Sequence, residues 1–209
     1  GDAGQKQFAD NYSKLVKIAE MGMEAQYEYL DKILDKSSSK VFVLPGNYDG
    51  VCLENKLKKY SLHKKSSIFS KGDDELWFAG YGSAPFIPPD VPAELVYMTD
   101  SQEMYDLFIK TTPDIVLSHQ PPKNTADLLD MGEGNSVHVG ELGLEAYIKD
   151  EQPSLVLFGH MHEHPGVYNI DKTTLVNPGP LHRQDNSNYA VIEITDEDGV
   201  KKVDLNQGV

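Results

Sequence analysis

The stretch LVLFGHMHEHPG, residues 155–166, decides how the rest of the chain is read. Five apolar or small residues run into histidines at every second position, His160, His162 and His164. An apolar run of that length bounded by glycine reads as a buried strand. Imidazoles at its exit lie where open α/β sheets bind ligands, outside the carboxyl ends of their strands.

Two other runs share this form. KVFVLPGNYDG (40–50) is apolar and β-branched until Pro45 and Gly46 stop it, and it delivers Asn47 and Asp49. DIVLSHQPP (114–122) is an apolar strand that stops at His119. Three strand tips carrying Asn47 with Asp49, His119, and His160 with His162 can converge on one place.

The segments between them set the fold class. Tyr12, Leu15, Val16, Ala19, Met23, Tyr27, Leu30 and Leu34 recur at helical spacing, so residues 11–35 read as one amphipathic helix. SSIFSKGDDELWFAGYG (66–82) carries two strand-like runs around Gly-Asp-Asp, a hairpin signal, and the proline-rich segment after it reads as a surface loop over 83–98. SQEMYDLFIKTTP (101–113) is a short helix with a capping serine, and ELGLEAYIKDEQP (141–153) a second one. Residues 123–140 read as irregular. TTLVNPGP, NYAVIEIT and VKKVDL give three strands, the last two joined across DEDG (196–199). Helices alternating with strands, then a strand-rich end, define an α/β chain with a mixed sheet or a pair of sheets.

The length, 209 residues, suits a single domain over 1–209. The formal charge of −14 opposes a polyanion, so a nucleic-acid partner is disfavoured, while a small phosphorylated ligand is compatible with local cations. Lys56, Lys58, Lys59, Lys64, Lys65 and Lys71 form a basic stretch that reads as a solvated face. The single cysteine, Cys52, excludes an internal disulfide and points to the cytoplasm. No run approaches the roughly 18 apolar residues of a membrane span, so no membrane partner is expected. Oligomeric state is not legible.

Imidazole nitrogen with amide or carboxylate oxygen makes a borderline-to-hard donor set suited to zinc, manganese or iron. His160 and His162, one residue apart past a strand, can each serve a different ion of a close pair, and two such ions would bridge a phosphate and acidify a shared water. His63, His138, His164 and His182 read as solvated loop residues, with His182, just after NPGP, the one placed to face a cleft.

GNYD (46–49), SH (118–119), GHMH (159–162) and VNPGP (176–180), in this order, resemble the motifs of the calcineurin-like metallophosphoesterases. The resemblance implies two facing mixed β-sheets flanked by helices, a four-layer αββα sandwich, with a dinuclear site at the strand ends. It implies two divalent transition metals, manganese first and iron or zinc otherwise, and hydrolysis of a phosphodiester or phosphomonoester. Carried over residue by residue, Asn47, His119 and His160 resemble the ligands of one metal and His162 a ligand of the other. Asp2, in the Gly1-Asp2 pair, resembles the bridging aspartate of the family's GD motif.

Two departures qualify the likeness. The family's first block, Asp-x-His at the end of an initial strand, has no counterpart upstream of Asp2. An interior strand cannot be lost without leaving unpaired edges, so an N-terminal segment carrying that strand is expected to precede this sequence. Tyr48 stands where the family often has a histidine that serves the leaving group, with Asp49 as its orienting partner. A phenol titrates near 10 against about 6.5 for imidazole, so Tyr48 donates a hydrogen bond more readily than a proton. That leans toward phosphodiesters or activated esters and away from protein phosphatases. The alternative is the same scaffold with a weakened site, used as a protein-interaction module.

Overall fold

The computed structural model describes residues 2–49, 51–72, 74–87, 91–180, 188–195 and 199–206, with the side chains of 2–11 and 71 excepted. The backbone forms two compact units, one from residues 1–61 and 83–98, the other from 62–82 and 99–209.

The first unit is built on α1 (Asp2–Leu34) and α2 (Cys52–Lys56). Tyr27 is buried with Cys52, Leu53 and Leu57, and Met23, Leu30, Val43 and Tyr60 pack around them. These α1 positions follow the three-and-four spacing of the sequence, and acids on the same helix and just past its end take the lysines that follow. Lys56 pairs with Glu24 and Glu28, and Lys59 with Asp31 and Asp35. The run 40–44 is not a strand. Only Val43 makes a bridge, to Ser61, and it packs against the helical cluster of Tyr27, Cys52, Leu53 and Leu57. The segment 83–98 is also less of a surface loop than expected. Ser83, Ala84, Leu95 and Val96 are buried, a 3-10 turn spans Ala93–Leu95, and Phe86 and Ile87 are exposed.

The second unit holds a six-stranded mixed sheet. Its strands are β1 (Lys65–Lys71), β2 (Asp74–Tyr81), β3 (Ile115–Ser118), β6 (Leu155–Leu157), β7 (Gly166–Ile170) and β8 (Thr173–Asn177), in the order β1-β2-β3-β6-β8-β7. Neighbours among β2, β3, β6 and β8 are parallel, and β1 and β7 are antiparallel edges. The registers Tyr81↔Ser118 and Leu117↔Leu157 bring the carboxyl ends of β2, β3 and β6 level. Helices α3 (Ser101–Thr111) and α4 (Leu142–Glu151) cover one face through Met104, Phe108, Leu144, Tyr147 and Ile148. The β9–β10 ribbon (Tyr189–Thr195 and Gly199–Asn206) packs Ile192, Ile194, Val203 and Leu205 against Ile115, Leu155 and Val176 of the sheet. Helices, a central mixed sheet and a facing ribbon agree with the expected architecture, with the second sheet reduced to two strands among the described residues.

Four local readings change. The α3 cap is Asp100, not Ser101: its carboxylate accepts from the N–H groups of Gln102 and Glu103 at 3.0 and 2.9 Å. Residues 123–140 contain a hairpin, β4 (Leu128–Gly132) with β5 (Asn135–His138), turning at Glu133 and Gly134, both at positive φ. Strand β7 was not anticipated. His63 is 4 % exposed rather than solvated, its Nδ1 accepting from Gly82 N–H at 3.1 Å. The DEDG turn at 196–198 and His182 lie outside the described residues.

Helices α3 and α4 approach at their starts. Ser101 Oγ donates to the Glu141 carboxylate, and a Cβ on Gly143 would come within 2.0 Å of the Ser101 carbonyl oxygen. Gly143→Ala therefore has to push the two helices apart, and overpacking of this kind costs about 1–3 kcal/mol or more. Urea unfolding of the two proteins checks it.

Candidate metal-binding site

His119 and His160 follow β3 and β6, which are adjacent and parallel. The ladder continues past both strands: His119 N–H donates to the Tyr81 carbonyl at 3.3 Å, and Gly159 N–H to the His119 carbonyl at 3.1 Å. The two imidazoles consequently meet edge to face, with centroids 5.2 Å apart.

His160 sits in an uncommon conformation. Its φ is 65°, and Met161 N–H donates to the Gly159 carbonyl at 2.7 Å, closing a three-residue γ-turn centred on the histidine. A non-glycine residue in this region carries on the order of 1–3 kcal/mol of strain. Asn177, at the end of β8 and 1 % exposed, opposes it. Its Nδ2 donates to the carbonyls of Met161 and His164, both at 2.8 Å, while its Oδ1 accepts from Gly179 N–H at 2.9 Å. Sequence reading noted VNPGP as a motif but gave Asn177 no role. A polar residue ending an apolar strand was the available signal. Met161, 2 % exposed, plugs the turn from below, His162 is exposed, and His164 is held by the Leu128 carbonyl at 2.8 Å.

Burial pushes the His119 pKa down from 6.5 to about 3, helped by the nearby rings of His160 and His162. His160 is shifted the same way, first by burial and then by His162, with Glu163 opposing. Both are therefore neutral at physiological pH, the form in which imidazole coordinates a cation. A pair of neutral rings facing each other fits a divalent transition metal in donor chemistry. Among the described residues no group of three or more His, Cys, Asp or Glu side chains is gathered tightly enough to hold an ion unaided.

The remaining predicted residues belong to the first unit. Asp2 is the first residue of α1. Asn47 is half-buried and Tyr48 is 63 % exposed, both in a turn. Asp49 is a clamp for that turn: its carboxylate accepts from Gly46 N–H at 2.8 Å and from the Tyr27 hydroxyl at 2.9 Å, fixing GNYD to α1.

A profile of the calcineurin-like phosphoesterases matches residues 8–164. The chain belongs to that family, whose members are divalent-metal-dependent phosphoesterases. No curated protein matches the sequence. Solved structures share the fold. One crystal structure superposes with a TM-score of 0.64 at 17% identity, over 94% of this chain and 76% of its own. The TT1561 protein of Thermus thermophilus gives 0.53 at 16% identity, over 88% and 79%. A Staphylococcus aureus structure described as a candidate 5′-nucleotidase, in complex with alpha-ketoglutarate, gives 0.53 at 16% over 81% of this chain and 38% of its own. No helix among the described residues is long and apolar enough to cross a membrane.

Two outcomes follow from this geometry. Because the folded pKa of His119 lies below the unfolded value of 6.5, the unfolded chain takes up a proton first as pH falls. Stability contributed by the neutral ring is whole above pH 6.5 and declines toward pH 3 by up to about 1.4 kcal/mol per unit. Chelator-treated His119→Gln, titrated by urea unfolding between pH 7 and 5, is expected to lose less stability than the parent. Asn177→Asp replaces a double donor with an acceptor facing two carbonyls, and manganese affinity, read by calorimetry, is expected to fall about 10–100-fold.

Proposed function

We propose that the chain hydrolyses a small phosphorylated substrate, with His119, His160 and His162 as metal ligands and Asp2 and Asn47 in the ligand roles that the family likeness gives them. The observation that carries this reading is the pair of neutral imidazoles held at 5.2 Å by the adjoining ends of β3 and β6. Bound divalent cations, manganese first among them, would polarise the phosphoryl group and acidify water. The protein's own part is to keep the ligand rings deprotonated and fixed in direction, which burial and the Asn177 bonds supply.

Phosphodiesters are favoured over phosphoproteins. Tyr48 offers a phenol, which orients a phosphate oxygen better than it protonates an alkoxide. The charge of −14 weighs against long polyanions such as nucleic acid. Tyr48, exposed at the place where the family often has a histidine, also supports a second reading, an interaction scaffold with a weakened site. Metal analysis of the purified protein separates the two: about one or two transition-metal ions per chain is expected for the enzyme, and none for the scaffold.

His160→Gly tests catalysis without confounding it with unfolding. Glycine removes the imidazole and relieves the positive-φ turn, so stability after chelation is expected to hold or rise by up to about 1 kcal/mol. Manganese-stimulated hydrolysis of bis(p-nitrophenyl) phosphate should vanish in the same variant. Retained hydrolysis would remove His160 from the reaction.

A further inference from the structure

The hairpin β4–β5 brings a second histidine to the rim of these loops. His138 ends β5, and its Nδ1 lies 2.7 Å from Oδ1 of Asp127. Asp127 is 1 % exposed, and its other oxygen accepts from the N–H groups of Asn124 and Gly140 at 3.0 and 3.1 Å. The carboxylate is thus immobile, and it fixes the ring that it holds. The His138 side chain is 43 % exposed, with Nδ1 the nitrogen turned to the carboxylate.

Its position relative to the site is set from both flanking loops. Leaving His119, the chain passes through Gln120, Pro121 and Pro122 to Asp127, with Glu141 N–H donating to the Pro121 carbonyl at 2.9 Å and Pro122 bridged to Glu141. Leaving His160, it reaches His164, whose Nε2 lies 2.8 Å from the carbonyl oxygen of Leu128. Leu128 is the cross-strand partner of His138. An exposed imidazole steered by a buried carboxylate is therefore anchored to the loops of both candidate ligands.

Such a pairing is the arrangement by which proteins aim a proton-transferring histidine. The rings of His119 and His160 are turned toward each other and are taken as the metal ligands, so neither is assigned the proton transfer. We propose that His138 is the general acid of the reaction, with Asp127 as its positioning residue. This rests on the phosphoesterase reading above. Water adds to phosphorus and the bond from phosphorus to the ester oxygen breaks, the leaving oxygen keeping the electron pair. That oxygen takes the proton from Nε2 of doubly protonated His138. The proton released by the attacking water passes to solvent, from which the exposed ring is reloaded, so the cycle balances.

The test compares esters whose leaving groups differ in basicity. In the presence of manganese, His138→Gln retains a donor for Asp127. On a p-nitrophenyl ester, which departs without a proton, its kcat is expected to fall a few-fold at most. On the matching phenyl ester it is expected to fall about a hundredfold or more. Equal losses on both esters, or none, overturn the proposal. Should the variant fail to fold, the parent protein decides alone: a shallow dependence of kcat on leaving-group pKa is expected, and a steep one overturns the assignment. A parent that hydrolyses neither ester with manganese bound defeats the phosphoesterase reading itself, and this inference with it.

Discussion

One hydrogen bond, from Gly159 N–H to the carbonyl of His119, holds the site's geometry together. By itself such a bond contributes only about 0.5–1.5 kcal/mol net. Its importance lies in where it falls, one step beyond the β3–β6 ladder, so that two chains leaving the sheet stay paired before they diverge. That extra step fixes the ring separation. It also explains how the γ-turn at His160 is borne. Strain of about 1–3 kcal/mol is set against two Asn177 bonds of about 0.5–1.5 kcal/mol each and burial of the Met161 side chain, about 1.5–3 kcal/mol. The opposing contributions are the larger sum, and the strained turn is the conformation that results.

Carboxylates are used in a consistent way around these loops. Asp49 accepts from one backbone N–H and Asp127 from two, and each is also bonded to one side chain, Tyr27 in the first case and His138 in the second. A charged acceptor forms stronger bonds than a neutral one, so a single residue can fix an irregular turn that no ladder stabilises. In a chain with an excess of acids, half-buried Asp49 and fully buried Asp127 organise loops. Most others lie on exposed faces, several paired with lysines. Surface pairs of that kind contribute little individually.

The parts of the fold legible in the sequence were those in which burial and periodicity coincide. β3, β6 and β8 are apolar because helices cover one face and the ribbon the other, with α3 and α4 turning their apolar residues to the sheet; α1 carries its three-and-four spacing toward its own cluster around Cys52 and Leu57. Where the two come apart, reading failed. In the run 41–44 Val43 packs with the helical cluster and forms a single bridge, without a ladder. The β4–β5 hairpin is exposed almost throughout, so no alternation marks it. β7 is a short, half-buried edge strand. His63 lies among basic residues yet is buried, since tertiary contacts and not sequence neighbours decide its exposure. That His119 and His160 follow the ends of apolar strands could be read from the sequence. Asn177 and the Asp127–His138 pair could not, because their roles depend on partners 11 to 16 residues away in the chain.

At these strand ends His119 and His160 are half-buried and His162 is exposed, and that difference has a chemical consequence. A cation competes with protons for every imidazole it takes, and the competition is weakest where desolvation has already driven the proton off. The two deeper rings present lone pairs at neutral pH before any ion arrives. A cation that took them would meet little competition from protons at neutral pH. Depth in the fold thus bears on which groups could serve as ligands, because desolvation at the strand ends disfavours the protonated ring.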